Sequence, residues 1–160
     1  MADTYRHFEL VVRGAAKLSQ PAQERGPEHP FDTRDIHPSM PRKVRELFDD
    51  THYSEATFAA CKYLEAEVQR LSASGLSGEK LMMAVFNETG GPLKLTALAS
   101  PTEIDEQRGY RFLFAGLSIA IRNPRGHGPL ITDSIDTCLE HLSFVSHLMR
   151  RVERAGFAFQ

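Results

Sequence analysis

Cysteine, net charge and continuous apolar sequence are all scarce in this chain of 160 residues. Only Cys61 and Cys138 occur, and both fall among periodic apolar residues, where a free thiol behaves as a small hydrophobe. They are expected to be reduced core residues. The formal net charge of −2 supplies no global attraction for nucleic acid, so a polynucleotide partner would have to meet a local basic patch. No run is apolar for long enough to span a bilayer, nothing resembles a signal peptide, and no repeat is visible. The expectation is a cytoplasmic protein without membrane contact. The remaining composition, 41% hydrophobic and 25% charged, is that of an ordinary globular chain, and its length suits one compact domain.

Helical periodicity dominates what is present. "TYRHFELVVRGAAKLS" places Phe8, Val11, Val12, Ala15 and Leu18 on one stripe. "QPAQERGPEHPFDTRDIHP" sustains neither period and reads as a linker or extended arm. From Ser39, Met40, Val44, Leu47 and Phe48 are spaced for a short helix, and "DDTHY" turns the chain, with His52 as a turn residue beside Tyr53. "SEATFAACKYLEAEVQRLSAS" follows as the cleanest helix, with Ala60, Cys61, Leu64, Val68 and Leu71 as its core stripe. "SGEKLMMAVFNE" reads as a helix capped by Ser77, with Met82 and Met83 as core filling. Leu93–Leu98 is either extended or irregular.

Ser100, Pro101 and Glu103 form a capping box at the start of "SPTEIDEQRGYRFLFAGLSIAIR". Between Phe112 and Ile121 this helix is apolar almost all round, which places it at the bundle centre, with Gly116 allowing a neighbour to approach closely. The last helix carries Ile135, Leu139, Leu142, Val145, Met149 and Val152 as its stripe. The sum is an all-α bundle of four to six helices, with an N-terminal helix and arm over 1–35 and the helical domain over 36–160.

Arg122-Asn123-Pro124-Arg125-Gly126-His127 joins the two strongest helices and carries two readings. As a helix stop, Asn123 takes a left-handed conformation, Pro124 cannot continue the helix and Gly126 permits a turn. As a site, four polar groups follow the most apolar helix, where a scaffold is most rigid. Cys138 and His141 stand three apart, as metal ligands can, but no second ligand pair has zinc-like spacing. No metal or other cofactor is expected.

The spacing of Arg122 and His127, with Asn123 directly after the arginine, resembles the Arg-x(4–6)-His motif of HEPN domains (higher eukaryotes and prokaryotes nucleotide-binding). "IHPSMPRKVRELFDDTHYSEATFAACKYLEAEV", "GEKLMMAVFN", "LFAGLSIAIRNPRGH" and "LEHLSFVSHLMRRVERA" are similar, in order and spacing, to the Ymh-type family of prokaryotes and phages, itself HEPN-like. The likeness runs from about Ile36 to Ala155. The family usually reads "RNPRAHE", so Gly126 replaces an alanine and Gly128 an acidic residue.

The resemblance implies a HEPN-like bundle and a metal-independent endoribonuclease of a toxin or antiphage system. RNA would be the substrate, with a homodimer presenting a composite cleft and an antitoxin or defence-system protein as a further partner. His127 would take the proton of the 2′-hydroxyl and Arg122 would stabilise the charge built on phosphorus. Asn123 would orient the phosphate or the imidazole, Arg125 would bind a flanking phosphate, and Lys62 and Glu65 would line the cleft. The alternatives are a non-catalytic HEPN module that binds RNA or a nucleotide or serves dimerisation, and a plain interaction protein.

Overall fold

A computed structural model describes residues 28–127 and 131–160, with only the backbone of His127 described. Among these residues the chain is helical, with no strand. The elements are α1 (Pro30–Thr33), α2 (Arg42–Asp49), α3 (Tyr53–Ser72), α4 (Gly78–Val85), α5 (Pro101–Gly116), a π-helical turn (Leu117–Arg122), α6 (Asn123–His127) and α7 (Ile135–Arg154). The expected stretch Thr4–Ser19 and the residues before Glu28 lie outside the described part.

The core forms where the stripes of α3 and α7 meet. Ala60, Leu64 and Val68 of α3 and Leu142, Val145, Met149 and Val152 of α7 are fully buried. Each large aliphatic side chain removed from water in this way contributes about 1.5–3 kcal/mol. A second layer packs α4 on α5, where the rings of Phe86 and Phe114 stack with centroids 4.2 Å apart. α2 closes the third side through Val44 and Phe48, and the rings of Phe31, Phe48 and Tyr53 follow one another at 5.1 and 5.3 Å.

The arm boundary at residue 35 falls inside packed structure. Phe31, Ile36 and His37 are buried, the His37 backbone N–H donates to Ser146 Oγ at 3.0 Å, and its ring lies 2.9 Å from Glu153. Aromatic and aliphatic residues scattered among prolines have no helical period, yet they still bury area. The Ser77 cap also differs. Ser77 occupies the cap position of α4 without a side-chain hydrogen bond, and a Glu65 carboxylate oxygen on α3 accepts the Gly78 N–H at 3.1 Å instead. Ser100 does cap α5, accepting the Glu103 N–H at 3.3 Å, while Glu103 accepts from Ala99 at 2.7 Å.

Two expectations for α5 are corrected. The helix does not stop at Arg122: it widens into the π-helical turn and continues through Pro124. Pro124 has no N–H, and its ring would press on the carbonyl four residues back. A turn wound i→i+5 spreads those groups apart. Nor is the Phe112–Ile121 stretch surrounded, since Phe112, Leu113 and Ile119 are 53, 43 and 48% exposed. A Cβ on Gly116 would meet nothing within 4 Å, so no neighbour approaches there.

Leu93–Leu98 is irregular, and its backbone is satisfied by a residue without a distinguishing sequence signal. Gln107 on α5 is completely buried. Its amide accepts from the Leu95 N–H at 2.7 Å and donates to the Phe86 and Leu93 carbonyls at 2.8 and 3.0 Å. Gln107→Leu keeps the volume and orphans three buried backbone groups, each worth roughly 1–3 kcal/mol. Urea unfolding should show a loss of about 3 kcal/mol or more; a midpoint unchanged from wild type would contradict this role for the amide.

Candidate functional site

The four polar residues of the 122–127 segment do not share one fate. Arg122 ends the π-helical turn with its side chain 15% exposed and its guanidinium directed toward α3. Nε lies 3.4 Å from Glu65 Oε2, Nη1 donates to Asn123 Oδ1 at 2.9 Å, and the guanidinium carbon stands 5.8 Å from the Phe58 ring centroid. Neither Arg122 Nε nor Glu65 Oε2 completes a hydrogen bond, although both are buried. The pair is therefore a charge contact rather than a locked fork. Asn123 is half-buried and fixes one arm of the guanidinium.

Arg125 is not placed to bind a flanking phosphate. Its side chain is 7% exposed and forms a fork on the 3%-exposed Asp133, with Nε donating at 2.8 Å and Nη2 at 2.5 Å. Nη1 donates to the Ile121 carbonyl at 2.7 Å, taking up a backbone acceptor at the widened turn. His141 stands beside this fork, 3.4 Å from Arg125 Nη2 and 4.0 Å from Asp133. Burial, reinforced by the Arg125 charge, lowers the His141 pKa and keeps the ring neutral at pH 7.

Glu65 does not line an open cleft either, being 3% exposed. One of its oxygens accepts the Gly78 N–H and the other faces Arg122. Lys62 is exposed, one helical turn beyond Phe58 on α3. The backbone of His127 ends α6, and its side chain lies outside the described residues, as does Gly128. Gly126 has a packing reason: a Cβ there would stand 2.9 Å from the edge of the Phe58 ring, so the glycine lets α6 settle on the ring that also underlies Arg122.

Asp133 and Ser54 are the residues that sequence reasoning missed as parts of this corner. The Asp133 N–H donates to Ser54 Oγ at 2.8 Å, and that hydroxyl donates to the Ile131 carbonyl at 2.5 Å. The sequence offers Asp133 or Ser134 as the cap of α7; Ser134 does the capping by accepting the Thr137 N–H at 3.1 Å, and Asp133 takes Arg125 instead. Between Thr51–Glu55 and Ile131–Asp133 there is an open cleft of about 440 Å³, in which His52 is exposed rather than packed. Among the described residues no group of three or more His, Cys, Asp or Glu side chains converges as a metal site would require.

Burial pushes the Cys61 thiol up to about 12 and the Cys138 thiol up to about 11, so both are protonated, unpaired core groups. Asp133 shifts the other way. Burial raises its pKa, but the hydrogen bonds and charge of Arg125 outweigh that and hold it below its ordinary 3.8. A depressed carboxylate stabilises the fold above its unfolded pKa and loses that contribution as pH falls through the folded one. Asp133→Asn should therefore cost about 3–5 kcal/mol at pH 7, because it strands Arg125 away from water. Denaturation from pH 7 to pH 2 should show the gap to wild type closing only below the usual aspartate range; a gap constant with pH would contradict the assignment.

None of the described helices is long and apolar enough to cross a membrane. Neither a curated protein nor a solved structure gives a significant match to the chain. A family profile does match, over residues 34–152, and it covers α2 to α7 together with the Arg122–His127 segment. With three quarters of its length matched, the chain belongs to the family described as "Protein of unknown function (Hypoth_ymh)".

Proposed function

We propose that the protein is a HEPN-like, metal-independent endoribonuclease of a toxin or antiphage system, acting as a homodimer. The observation that carries this reading is the helical continuation through Pro124, which sets Arg122, Asn123 and His127 on a clamped helix end instead of a loose loop. The RNA 2′-hydroxyl passes its proton to the His127 imidazole, and its oxygen attacks the adjacent phosphorus. The bond from phosphorus to the 5′-oxygen then breaks and that oxygen takes up a proton, leaving a cyclic phosphate and a 5′-hydroxyl. Arg122 answers the charge on the non-bridging oxygens, and Asn123 holds the guanidinium in place. DNA lacks the nucleophile. Lys62 remains an exposed cation on α3 for a neighbouring phosphate, whereas Arg125 and Glu65 act behind the site as its supports. An antitoxin or defence-system partner belongs to the same proposal.

A second reading, a non-catalytic module that binds RNA or a nucleotide or serves dimerisation, is favoured by one observation. Arg122 already has the Glu65 carboxylate beside it, which offsets part of the charge a scissile phosphate would meet.

Incubation of the full chain with mixed RNA, with and without chelator, tests both. Cleavage independent of chelator is expected, falling about 10²–10⁴-fold in His127→Ala and about 10²–10³-fold in Arg122→Gln. Arg122→Gln should also lower the melting temperature, because the buried Glu65 carboxylate loses its counter-charge. His127→Ala cutting as fast as wild type would overturn the assignment of the base. RNA binding without cleavage would establish the second reading.

A further inference from the structure

Five large apolar side chains are markedly exposed among the described residues, and three of them, Phe112, Leu113 and Ile119, stand together on α5 and the π-helical turn. Ala120 is exposed beside them. Gly109 and Gly116 lie on the same side of α5 as Phe112, at helical spacing, and a Cβ on either would meet nothing within 4 Å. The face therefore alternates projecting rings and branches with open notches. Such a surface can fill itself, because a two-fold axis places the projections of one copy into the notches of the other.

We infer that this face is the contact between two copies of the chain, with Phe112 of each copy seated against the partner's Gly116 and the partner's Ala120. The inference deepens the dimer of the proposed function and rests on that reading only for what the dimer does. The net charge of −2 sets up little repulsion between copies. The rim holds both signs already paired, Arg108 to Asp105 at 3.1 Å, so it asks for no strongly charged partner. From Gly109 to Ala120, at about 1.5 Å per residue, the face is roughly 17 Å long and about one helix wide. Its footprint is below the ~800 Å² per partner of a standard interface, which points to reversible, micromolar association.

Two substitutions test the face in the full chain. Phe112→Glu alters an exposed position and leaves the core untouched. Gly116→Leu fills a notch that is empty in one copy and replaces a helix-weakening glycine by a good helix former. Sedimentation between about 1 and about 100 µM should show wild type passing from monomer to dimer, with each variant at least ~10-fold weaker in association. Circular dichroism should show unchanged helicity for both, and Gly116→Leu should melt higher than wild type while dimerising less. A merely structural glycine would not produce that pair of results. Wild type monomeric at the highest concentration, or dimers indifferent to both substitutions, would overturn the inference. RNA cleavage measured on the same samples keeps the two proposals apart. Variants that are monomeric yet cut normally would remove the composite site and leave the face, whereas a dimer that never cuts would remove the nuclease alone.

Discussion

Arg125 and Asp133 meet almost out of reach of water, and the corner of the bundle between α6 and α7 is organised around that pair. Two charges so placed hold a fold only when their other hydrogen-bonding groups are also used. Here they are. The third guanidinium arm takes the Ile121 carbonyl, and the Asp133 backbone reaches Ser54 on α3. One ion pair thus ties the widened end of α5, the short α6, the segment entering α7 and the start of α3. The neutral His141 beside it adds no competing positive charge at pH 7.

Two arginines three residues apart therefore have opposite parts. Arg125 is held by a full fork on Asp133 and by the Ile121 carbonyl, so it supports structure. Arg122 meets its carboxylate at 3.4 Å without completing a hydrogen bond, and its other contacts are an aromatic ring and a neutral amide. The loosely held guanidinium is the one with charge to offer a ligand. No property of "RNPR" as a string distinguishes them. The distinction depends on Asp133 and Glu65, eight and fifty-seven positions away in the chain.

What was legible in the sequence was local. The stripes of α3 and α7, the Ser100 cap and the buried thiols all follow from spacing that one helix imposes on itself. What was not legible was partnership across the fold. Gln107 reads as an ordinary polar residue on a helix until Phe86, Leu93 and Leu95 are brought to its amide. Ser77 has the right residue type in the right place, but a carboxylate from α3 reaches the α4 terminus instead. An apolar stretch such as Phe112–Ile121 reveals the area available for burial, but not whether the same chain buries it.

The widened turn accounts for the outward Ile119 and Ala120 and for the direction of Arg122 together. In a regular α-helix, side chains three and four apart share one side, so the α5 face would run on unchanged toward α6. A π-helical turn takes more residues per revolution and breaks that register. Leu117 and Ser118 turn inward to the core, Ile119 and Ala120 stay in solvent, and Arg122 swings toward Glu65 and Phe58. Pro124 makes a regular turn costly, Arg125 occupies a carbonyl at the irregular one, and Gly126 lets the continuing helix rest on Phe58. The residues that look like helix breakers in sequence thus redirect the helix, with an apolar face turned outward before the bend and a half-buried cation turned inward after it.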